Sequence, residues 1–110
     1  MITWQDFEKV DMRVGTILTA TLLENAKNPA YVMTIDFGQN LGIKKSSAQI
    51  TKLYDIEMLI GQQVIAVVNF PPKQIGKIIS ECLVLGLVGD NKAVTLLQPE
   101  RKVDNGLRLM

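Results

Sequence analysis

The run from Gln63 to Ser80 constrains the fold most. Five consecutive apolar residues, Val64 to Val68, are mostly β-branched and too few for a typical helix. They predict a central strand buried on both faces. Asn69 and the Pro71-Pro72 pair end it, because proline donates no N–H to a ladder and disfavours helix in the residue before it. A turn then carries Lys73 and Lys77 around Gly76 and closes on Ser80, and a second apolar run, Leu83 to Val88, begins at once. The expected unit is therefore a buried strand, a proline-stiffened basic loop and another buried strand. Function is expected at the loop.

The remaining segments fit around that unit. Thr3 is predicted to cap a short helix, with Asp6 at the capping-box position and Ile2 stapled onto Phe7. Trp4, Phe7 and Val10 form one apolar stripe, which either the chain's own core or a partner subunit must cover. From Val10 the period changes to two. Val10, Met12, Val14, Thr16, Leu18, Ala20 and Leu22 share one side of a long half-buried strand, and Gly15 inside it predicts a bulge or bend. Glu24 to Pro29 is a loop. Tyr31, Met33, Ile35 and Phe37 alternate along a second strand, and Gly38 to Gly42 has hairpin-turn chemistry.

The third strand, Ile43 to Ile50, carries Lys44, Lys45, Ser46, Ser47 and Gln49 and is the least apolar. It is either an edge strand or a binding face. Thr51 to Leu59 predicts one or two helical turns ended by Gly61. After the two central strands come a tight turn, Gly89 to Lys92, and a short last strand, Val94 to Leu97. The tail from Gln98 to Met110 has no clear period. This order predicts an all-β chain: a five-stranded OB-fold Greek-key barrel, with a short N-terminal helix and a short helix between strands 3 and 4. An SH3-like barrel or a sandwich fragment shares the pattern.

Composition narrows the chemistry. The chain has 110 residues, enough for one domain over 1–110 but near the size at which a dimer interface helps. It has no histidine, which removes Ser-His and Cys-His nucleophile pairs and the commonest metal ligand. Its one cysteine, Cys82, rules out an internal disulfide and a cysteine-cluster metal site, and reads as a buried small hydrophobe. Asp11 and Asp36 read as structural carboxylates rather than a catalytic pair. No enzyme activity, cofactor or metal is expected. The N-terminus has no basic and apolar leader pattern, and no apolar run approaches a membrane span, so the expected location is cytoplasmic. Net charge is only +1, yet residues 37–80 hold Lys44, Lys45, Lys52, Lys73 and Lys77 against Asp55 and Glu57. That concentration is either a solvated loop surface or a patch for an anionic partner.

Several stretches carry a resemblance. Asp11-Met-Arg-Val-Gly15, Leu59-Ile-Gly-Gln-Gln-Val64 running to Asn69, and Ser80-Glu81 eleven residues after Asn69 resemble the tRNA-binding OB-fold family found on methionyl-tRNA synthetases. Ile35-Asp-Phe-Gly38, Ser46-Ser-Ala-Gln-Ile-Thr51, Asn69-Phe-Pro-Pro72, Ser80-Glu-Cys-Leu-Val-Leu-Gly86 and Asn105-Gly106 resemble its branch of CsaA-type secretion chaperones. The wider family's Ser-Glu-Gly-Met is here Ser80-Glu81-Cys82-Leu83, and its loop Lys and Arg fall at Gln74 and Gly76, with Lys73 and Lys77 one place away.

The resemblance implies a non-catalytic homodimer, joined through N- and C-terminal extensions that include Trp4 and Phe7. It further implies a pocket on each subunit for tRNA, or for unfolded preproteins and the export machinery. The residues expected to bind RNA or peptide are Lys44, Lys45, Ser46, Gln49, Asn69, Pro72, Lys73, Lys77, Ser80 and Glu81. The lysines suit phosphate neutralisation. Asn69 and Ser80 either bond a base edge or a 2′-hydroxyl, or bond nearby backbone.

Overall fold

A computed structural model describes all 110 residues. The chain runs α1 (Trp4–Glu8), β1 (Met12–Leu22), β2 (Tyr31–Asp36), β3 (Ile43–Ala48), α2 (Ile56–Leu59), β4 (Gln63–Val67), β5 (Lys73–Ile75), β6 (Ile78–Ser80), β7 (Leu83–Val84), β8 (Gly86–Val88) and β9 (Val94–Leu96). Five antiparallel strands form one sheet in the order β3-β2-β1-β4-β7. The first half of β1 pairs with β4 and its second half with β2. The sheet curls until β3 meets the β6–β7 segment, where the Glu81 N–H donates to the Lys45 carbonyl at 2.7 Å. The result is a nearly closed five-stranded OB-fold barrel with two short helices, as the element order predicts.

Ile17, Met33, Ile35, Phe37, Leu59 and Val64 are fully buried in the barrel. β4 is the central strand expected of the apolar run, with Gln63, Val64, Ala66 and Val67 buried. The phase of β1 differs from the single even-numbered face expected. Gly15 and Ile17 point inward first. The register with β2 then skips at Leu18, between Ile17 and Thr19, and Ala20 becomes the inward residue. One extra residue switches which side faces the core. Gly15 is not that bulge. A Cβ there would lie 2.6 Å from Ile35 Cγ2 and 2.8 Å from the Phe37 ring, so its role is close packing.

Two further expectations need correction. Leu83 to Val88 is not a buried central strand. At Leu85 the chain changes partners: its N–H donates to Ile65 of β4, while its carbonyl accepts from Leu97. β8 then pairs with β9 as a separate ribbon, leaving Leu87 and Val88 exposed. β3 ends at Ala48, two residues early.

The aperiodic tail is ordered by directed bonds rather than by a packing period. Its backbone bonds β1 through Val14 N–H to Leu107 O, Gly106 N–H to Val14 O and Leu109 N–H to Met12 O. Asn105 Oδ1 accepts from Thr16 Oγ1 at 2.7 Å and from Gln63 Nε2 at 3.1 Å. Neither aspartate weighed as a carboxylate pair is free. Asp11 pairs with Arg13 and Arg108, and Asp36 accepts the Gly38 N–H.

Candidate functional site

The basic loop after Asn69 is partly regular. β5 and β6 form a hairpin, with Ile75 opposite Ile78 and Gly76-Lys77 as the two-residue connection. Gly76 has φ +60°, the left-handed setting that glycine reaches without a Cβ penalty at the first position of such turns. The hairpin, the preceding Phe70-Pro71-Pro72 and the barrel seam enclose a pocket of about 470 Å³. Phe70, Pro71, Pro72, Ile75 and Leu83 give it apolar walls, and Ser47, Lys73, Ser80 and Glu81 contribute polar groups. A second depression of about 450 Å³ is lined by Lys45 and Lys77 together with Glu24, Val32 and Ile78.

The seam fixes the pocket's base. Glu81 Oε1 accepts the Lys45 N–H at 3.0 Å, and Ser80 Oγ accepts the Ser47 N–H at 3.3 Å. Ser46 Oγ and Ser80 Oγ both donate to the Cys82 carbonyl, at 3.0 and 3.2 Å. Side chains thus take the place of ladder bonds where two strand edges do not meet in register. Burial pushes the Cys82 thiol up to about 11; Ser46 and Lys44 partly oppose that rise, and Glu81 adds to it.

The candidate residues divide by position. Pro72, Lys73, Ser80 and Glu81 line the pocket. Lys45 and Lys77 share the neighbouring depression. Lys44 precedes Lys45 on β3, so it points to the opposite face, the one that carries Ser46 inward. Ser46 is fully buried, its hydroxyl committed to Cys82. Gln49 lies beyond the end of β3 and lines neither depression. Asn69 uses both ends of its amide: Nδ2 donates to the Lys9 carbonyl at 2.7 Å, and Oδ1 accepts the Asp11 N–H at 3.0 Å.

Phe70, Pro71, Ser47 and Leu83 were absent from the sequence-based set. Phe70 is 54% exposed, and its place between Asn69 and two prolines was the available signal. No lysine takes part in an ion pair; the three pairs present use arginines. At the other end of the chain, Trp4 is 79% exposed and lines a groove with Ile2, Phe7 and Met110. No helix is long and apolar enough to cross a membrane.

Residues 12–108 match the family described as "Putative tRNA binding domain". Among solved structures, the chaperone CsaA of Bacillus anthracis is 49% identical, with TM-score 0.94, over 100% of this chain and 99% of that one. The CsaA chaperone of Picrophilus torridus is 47% identical with the same TM-score, over 100% of both chains. A methionine–tRNA ligase of Leptospira biflexa is 35% identical over 105 residues, or 96% of this chain. The chain spans only 14–15% of the length of the ligases it matches. With a family match over nearly its whole length and a barrel that overlays the CsaA chaperones end to end, the chain belongs to the tRNA-binding domain family.

Proposed function

We propose that this protein binds tRNA, without catalysing a reaction on it, at the pocket between Phe70 and Leu83. The observation that carries the reading is that Lys45, Lys73 and Lys77, none with a carboxylate partner, flank an apolar pocket with an exposed aromatic wall. The lysines neutralise phosphates, while Phe70 offers a face on which an unstacked base can lie. Glu81 and Ser80 hold the pocket's base, which leaves base-edge contacts to the Ser47 hydroxyl.

A second reading has support of its own. The pocket's walls are mostly apolar, and the chain resembles two CsaA chaperones throughout, which fits capture of an unfolded preprotein segment before export. Both ligands meet in the cytoplasm, where we place the protein. We further propose a single domain over 1–110 that dimerises through N- and C-terminal extensions, a second copy covering Trp4 and Phe7. The deciding experiment is tRNA binding to the purified protein at low salt, with an unfolded preprotein added as competitor. Bound tRNA that rising salt releases supports the first reading. No tRNA bound, with preprotein retained at high salt, supports the second, and binding of neither overturns both.

A further inference from the structure

We infer that Asn69 is a positioning residue that couples the ligand pocket to the apolar face carrying Trp4. This rests on the pocket being the ligand site. The helix α1 has five residues and buries none of them. A helix so short has little stability of its own, so its placement depends on what holds its end. Two side chains do. Asn69 Nδ2 donates to the Lys9 carbonyl, and Arg108 Nη2 donates to the Glu8 carbonyl at 2.6 Å.

The same node reaches three ways. Asn69 Oδ1 also takes the Asp11 N–H, the Asp11 carbonyl takes the Val68 N–H at 2.9 Å, and the Asp11 carboxylate pairs with Arg13 and Arg108. The next residue after Asn69 is Phe70, the pocket's aromatic wall. Pro71 and Pro72 stiffen the backbone on its far side. A ligand that fixes Phe70 therefore fixes Asn69, and Asn69 fixes the end of α1. Segments with few buried contacts are the ones whose populations a ligand can shift. By linkage, whatever docks on the Trp4 face strengthens ligand binding by the same factor.

Trp4 is the only tryptophan and reports on α1 directly. Unfractionated tRNA titrated into the wild type should change Trp4 emission. In Asn69→Ala, tRNA should still bind with an unchanged salt slope, and Trp4 emission should no longer respond. Amide exchange of residues 7–10 should be faster in Asn69→Ala than in the wild type with no ligand present. Asn69→Asp keeps the acceptor for the Asp11 N–H but loses the donor to Lys9. It carries the same expectations if the alanine variant does not fold. Wild-type protein that binds no tRNA overturns the tRNA reading alone. Unchanged exchange of residues 7–10 in a folded variant, or an emission change as large in the variant as in the wild type, overturns the coupling.

Discussion

Replacing Lys45, Lys73 and Lys77 with alanine should flatten the salt dependence of tRNA binding, and the structure sets the size of the effect. These three lysines stand at the pocket and its neighbouring depression, and none is paired with a carboxylate. Each phosphate contact contributes a log–log slope of about −0.7 to −0.9, so three give roughly −2 to −3 per chain, and twice that where two copies engage one tRNA. Between about 50 and 200 mM salt, one chain's affinity should fall ~20- to 40-fold. Each single substitution should reduce the slope by about 0.7 to 0.9 per chain engaged. The lysines at 45, 73 and 77 are exposed, so each change should cost no more than about 0.5 kcal/mol of stability. Lys44 supplies an internal control, because β3 turns it to the other face. Lys44→Ala should leave the slope alone. The assay is anisotropy of labelled tRNA at four salt concentrations. A folded triple variant with the wild-type slope, or a Lys44→Ala effect as large as that of Lys45→Ala, would refute the assignment.

Three other outcomes test the surrounding structure. Gly15→Ala should overpack the Ile35–Phe37 contact, costing about 1–3 kcal/mol and lowering the melting temperature by roughly 5–15 °C; an unchanged melt would contradict the packing. Cys82 has its folded-state pKa raised from 9.0 to about 11, so the stability it lends is complete below pH 9 and is lost as pH rises through 11. The stability gap between wild type and Cys82→Ala should therefore narrow by about 2–3 kcal/mol over that interval, which denaturant melts at stepped pH would measure. Trp4→Glu, at a position 79% exposed in the single chain, should convert a dimer to a monomer in light scattering, and the melting temperature should then no longer rise with protein concentration.

What the sequence made legible depended on whether a residue's setting was local. Val64 to Val68 read correctly because a short β-branched run ended by Asn and two prolines leaves few other outcomes. Leu83 to Val88 has the same apolar character, yet its partner changes at Leu85, and no local pattern records which strand a run will pair with. The β1 alternation was visible, but the extra residue at Leu18 reversed the inward side, and Gly15 drew attention to the wrong position. Lys44 and Lys45 read together as one patch because they are adjacent in sequence, and adjacency in a strand separates them. Phe70 was not among the residues expected to bind, although its place between Asn69 and two prolines sets it apart from the core run before it. Asn69 stood out as polar at a special place. Its partners, Lys9 and Asp11, lie about 60 residues earlier and could be found only in three dimensions.

The central claim is that ligand binds between Phe70 and Leu83. Backbone amide NMR of the labelled protein during a titration with unfractionated tRNA tests it most directly. Shifts or broadening should concentrate at Ser47, Phe70, Lys73, Ser80 and Glu81, spreading to Lys45 and Lys77. Perturbations confined instead to the polar groove of Gln62, Gln98, Arg101 and Lys102, with the Phe70 pocket silent, would contradict it.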